Sequence, residues 1–99
     1  MKLQDRALSI PVELTDAQAE QAFELARIWW ADAASHMTIR PALTNPGHMG
    51  AVLAECAWHF SNAYAAQHGM DQKKAFEAIL DGWTRAHEQA AAQSEGAAQ

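Results

Sequence analysis

Large hydrophobic residues recur at helical spacing through the second half of the chain. Met49, Val52, Leu53, Cys56, Phe60, Ala63 and Tyr64 fall on one helical stripe. Asn45 and Pro46 supply an N-cap and a first helical residue, and Gly69 supplies the stop. Asp71 can cap a further helix, in which Ala75, Phe76, Ile79, Leu80, Trp83 and His87 share a stripe. Gly82 weakens that helix by roughly 1 kcal/mol relative to alanine. Upstream, residues 17–24 are rich in Ala, Gln and Glu, and either Thr15 or Asp16 can cap them. Thr15 and Gln18 also have capping-box spacing, so a short N-terminal helix is predicted.

Residues 25–40, LARIWWADAASHMTIR, follow a different period. Ile28, Trp29, Trp30, Thr38 and Ile39 favour strands, and Asp32 and Ser35 bound a turn. Pro41 pushes Arg40 towards an extended conformation. The prediction is a β-hairpin with strands over 25–31 and 35–40. With residues 33 and 34 central, Trp30 lies opposite Met37 and Ile28 opposite Ile39, on an apolar face expected to cover the helices. The other face pairs Ala31 with His36, Trp29 with Thr38, and Arg27 with Arg40. Trp30 is thus expected in the core and Trp29 outside it.

The predicted fold is α+β: a hairpin packed on two antiparallel helices, with a short N-terminal helix. A lone hairpin is marginal in water and has open edges. Residues 7–10, ending at Pro11, can add a third strand, or two chains can join their sheets in a homodimer. One domain over residues 1–89 is expected, with a flexible tail over 90–99 that lacks large apolar groups.

The succession ARIWWAD, HMTIRP, NPGHMG and LAECAWHFSNAYA resembles the small uncharacterised bacterial family known as domain of unknown function 5076, over about residues 22–83. Members of that family tend to carry a glycine pair after the aspartate, where this chain has Ala33 and Ala34, and a tryptophan where it has Met49. Alanine is ill suited to a two-residue type I′ turn, which needs positive φ twice, so a wider turn in the same register is expected. The resemblance implies the fold and a bacterial cytosolic setting, and it supplies no reaction.

Composition narrows the function classes. The 99 residues carry a formal net charge of −5, which argues against nucleic acid and against an anionic membrane surface as partners. No apolar run reaches the roughly 18 residues of a membrane span. The first residues lack the apolar core of a secretory signal, so a cytoplasmic protein is expected. A single cysteine, Cys56, excludes an internal disulfide. Its place in the apolar stripe predicts a buried, inert thiol.

Five histidines raise the question of a metal. Glu55 and His59 are four apart on a predicted helix, and Cys56 and His59 three apart. There is no HExxH or CxxC spacing, so neither a metal nor another cofactor is expected. No nucleophile–base pair, phosphate loop or carboxylate pair stands out, and the sequence leans away from an enzyme. The chemistry is concentrated on the hairpin's polar face. Arg27, Trp29, His36 and Arg40, with His59 beside them as a further candidate, suit either a protein interface or a small anionic ligand. Alternatively, the arginines pair with local acids such as Glu24 and Asp32. The leading expectation is a self-associating interaction or accessory module, most simply a homodimer, with room for another protein partner. A small-anion-binding protein or enzyme is the alternative.

Overall fold

The computed structural model describes residues 2–98 except Val12, with side chains described as far as residue 93. It is α+β, and its two compact units cover residues 1–42 and 43–99.

The first unit opens with a single 3-10 turn, Leu3–Arg6, followed by the short helix α1, Asp16–Gln21. Thr15 caps α1 as its spacing predicts. Its Oγ1 accepts from the Gln18 N–H at 3.1 Å, and Gln18 Oε1 accepts from the Thr15 N–H at 2.9 Å. The hairpin consists of β1, Ala26–Ala31, and β2, Ala34–Ile39. Among the described residues the sheet has these two strands, and residues 7–10 do not form a third.

The register departs from the expected one by two residues. Ala26 pairs with Ile39, Arg27 with Thr38, Ile28 with Met37, Trp29 with His36, Trp30 with Ser35 and Ala31 with Ala34. The turn is therefore the tight one that alanine was expected to avoid, centred on Asp32 and Ala33 at φ 54° and 57°. Such positive φ matches the right-handed twist of the flanking strands. Aspartate tolerates it, whereas alanine bears a steric cost. A slip of two residues leaves every side chain on its original face, so the two predicted faces survive the correction.

Their exposure does not follow the prediction. Ile28, Trp30, Met37 and Ile39 are between 55% and 74% exposed, while Trp29 on the opposite face is half-buried. The core role expected of Trp30 is thus not found.

The second unit is a helix pair. α2, Pro46–His68, starts at Asn45, whose Oδ1 accepts from the Gly47 N–H at 2.8 Å. It stops at Gly69, whose φ of 67° is the left-handed conformation that glycine adopts freely. α3, Gln72–Ala98, is capped by Asp71, which accepts from the Lys74 N–H at 3.1 Å. The linker of residues 69–71 folds α3 back onto α2.

Burial identifies the row of α2 that α3 covers. Ser61 is fully buried, and Ala57 and Ala65 one turn to either side are half-buried. On α3, Ala75 is buried with Phe76 and Ile79 half-buried. Small side chains let two helices approach closely. Ser61 satisfies its hydroxyl within its own helix, donating to the Ala57 carbonyl at 2.7 Å. The large stripe next to this row stays in water: Leu53, Phe60 and Tyr64 are exposed. Cys56 is exposed too, contrary to its expected burial, because α3 lies against the small row and not against the large stripe. Among the described residues, no helix is long and apolar enough to cross a membrane.

Candidate functional site

The polar face of the hairpin collects four of the five candidates. Trp29 and His36 are direct cross-strand partners. His36 Nε2 lies 3.2 Å from the Ala31 carbonyl oxygen and donates to it in the tautomer protonated there. This contact ties the imidazole to the backbone beside the turn.

The arginines are arranged differently from expectation. Arg27 lies opposite Thr38 rather than Arg40. The Arg40 N–H donates to the Leu25 carbonyl at 2.7 Å, which continues the ladder by one residue pair. Arg27 and Arg40 are therefore diagonal neighbours on one face. Diagonal positions lie roughly 7–8 Å apart, so the direct like-charge clash is avoided. Arg27 Nε also donates to Glu24 Oε1 at 2.7 Å, the local pairing that the sequence left open. Both partners are more than half exposed, and solvent screening limits such a pair to at most about 1 kcal/mol.

Arg27 and Arg40 line the same open depression of about 400 Å³, together with Glu24, Thr38 and the strand-end backbone. Thr38 was not singled out from sequence. Its placement follows from pairing with Arg27, which only the true register reveals. An anion here would meet two guanidinium groups and a hydroxyl, with the Glu24 carboxylate competing for Arg27.

The fifth candidate, His59, is an exposed residue of α2 and belongs to the other unit. Further along α2, the rings of Tyr64 and His68 lie 5.6 Å apart beside a shallow depression of about 250 Å³ bordered by Phe60, Ala63 and Gln67. Their spacing of four residues was the available signal for that contact. Among the described residues, no group of three or more His, Cys, Asp or Glu side chains is arranged to hold a metal ion.

The family model of domain of unknown function 5076 (DUF5076) matches residues 7–91. The chain belongs to this family. No curated protein is similar enough to match it. Among solved structures, the chain is similar to one described as a putative pyruvate dehydrogenase from the photosynthetic bacterium Rhodopseudomonas palustrus CGA009. The TM-score is 0.60 at 22% identity, over 80% of this chain and 81% of that one. At that identity the likeness concerns the fold alone. Membership in DUF5076 bears out the resemblance carried by ARIWWAD, HMTIRP and the α2 sequence, and extends it to both sides of residues 22–83.

Proposed function

We propose that this DUF5076 protein is a non-enzymatic interaction or accessory module of the bacterial cytoplasm that self-associates. The supporting observation is where its apolar side chains stand. Ala75 is the buried hydrophobic residue among the described ones, while the hairpin face and the α2 stripe stand in water. Exposed apolar patches of several hundred Å² on a small protein mark contact surfaces. The hairpin face carries no formal charge, and its position beside two open strand edges suits a protein partner. Sedimentation equilibrium over a wide concentration range should show reversible dimers. A monomer at every concentration would remove self-association.

One observation favours a second reading. Arg27, Thr38 and Arg40 converge on a single depression, as binding of a small carboxylate or phosphate requires. On this reading inorganic phosphate or a dicarboxylate raises the melting temperature, and Arg40→Ala abolishes the rise. An anion bound at a hundred times its Kd adds about 2.7 kcal/mol. Equal response of the wild type and Arg40→Ala would reject this site.

A further inference from the structure

Over its 23 residues α2 carries one formally charged side chain, Glu55. A helix that is apolar or neutral around most of its circumference is normally covered on more than one side. Within its own unit it meets α3, along the small row of Ala57, Ser61 and Ala65. The flanks of that row remain apolar and exposed. Phe60, at 61% exposure, lies with Leu53, Cys56 and Tyr64 on one flank, and Trp58, at 54%, lies on the other.

We infer that a second copy of this chain covers the Leu53–Cys56–Phe60–Tyr64 stripe, by antiparallel packing of α2 on α2 about a twofold axis. The inference rests on the self-associating reading above and names its surface. A twofold interface requires one patch to be complementary to itself. This stripe meets that condition. Reversed against its own copy, it sets Leu53 against Tyr64 and Cys56 against Phe60, a smaller side chain beside a larger one at each level.

Charge is compatible with this surface. At a net charge of −5, two copies repel wherever their acids meet, and the stripe carries no formal charge. Glu55, adjacent to Cys56 in sequence, is turned roughly 100° around the helix from it.

The composition of the stripe suits a dimer interface. A standard interface takes roughly 800 Å² from each partner, of which a little over half is apolar. The stripe, with the half-buried Met49 and Ala63 on the same side, is apolar along its length, as the centre of such an interface is. Two helix hairpins joined in this way form a four-helix arrangement.

The single cysteine makes the geometry testable. Any thiol-to-thiol link between two chains joins Cys56 to Cys56. In the antiparallel register the two thiols are offset by about 6 Å along the helix axes, within reach of a short bis-maleimide. The full chain should give a covalent dimer with this reagent at concentrations where sedimentation shows dimers. Phe60→Glu should weaken dimerisation about a hundredfold or more, because each dimer would bury two carboxylates. Its far-ultraviolet circular dichroism should match that of the wild type, since Phe60 is exposed in the single chain. Dimers that persist in Phe60→Glu and do not cross-link through Cys56 would overturn this surface while leaving self-association standing. A wild type that stays monomeric would overturn both. If Phe60→Glu loses its helical signal, cross-linking of the unaltered chain decides, and its absence in a dimeric sample rejects the proposal.

Discussion

Asp32 and Ala33 both adopt positive φ, and the two residues differ in how well they tolerate it. For alanine the left-handed conformation costs roughly 1–2 kcal/mol. Glycine avoids that cost, although it adds entropy to the unfolded chain. Ala33→Gly is therefore expected to stabilise the hairpin by about 0.5–1 kcal/mol, read as a higher urea midpoint with an unchanged slope. An unchanged or lower midpoint would mean that Ala33 is not held left-handed in solution. The same two residues mark where sequence reasoning met its limit. Alternation has a period of two, so it specifies which side chains share a face and is blind to a slip of two residues. Alanine at the turn gave no reason to choose the tight loop. Once the register moved, the Arg27–Arg40 opposition disappeared and Thr38 joined the candidate site.

Helix ends were legible because their causes are local. Thr15, Asn45, Gly69 and Asp71 each act within one turn, and each is found doing so. The face that α2 gives to α3 was not legible. Periodicity weighs large apolar groups, yet close helix contact here selects Ala57, Ser61 and Ala65, which carry little hydrophobic weight. Burial of Ser61 makes this contact testable. Its hydrogen bond stays within α2, so Ser61→Ala should change stability by less than about 1 kcal/mol. Ser61→Leu forces a larger side chain into a fully buried position of the helix pair and should cost about 1–3 kcal/mol. Thermal or chemical denaturation of the two variants side by side checks both expectations. Equal tolerance of leucine and alanine would show that α3 does not close on this row.

At the scale of the whole molecule, stability and association become one question. A chain of this size can bury roughly 60–70% of its unfolded surface, enough for one core. Among the described residues, however, one hydrophobic side chain is buried, and large apolar groups of both units face water. If a second copy supplies the missing cover, folding is linked to dimerisation and the melting temperature depends on protein concentration. For a dimer that unfolds to separate chains, each tenfold rise in concentration adds about 1.4 kcal/mol per dimer. Unfolding scans over two decades of concentration should therefore move steadily upward for the wild type. Phe60→Glu should show a flat dependence over the same range, because its monomers gain nothing from mass action. Arg40→Ala should keep the wild-type slope, since its change lies on the polar face of the hairpin. A flat wild-type dependence would mean that the chain completes its fold without a second copy.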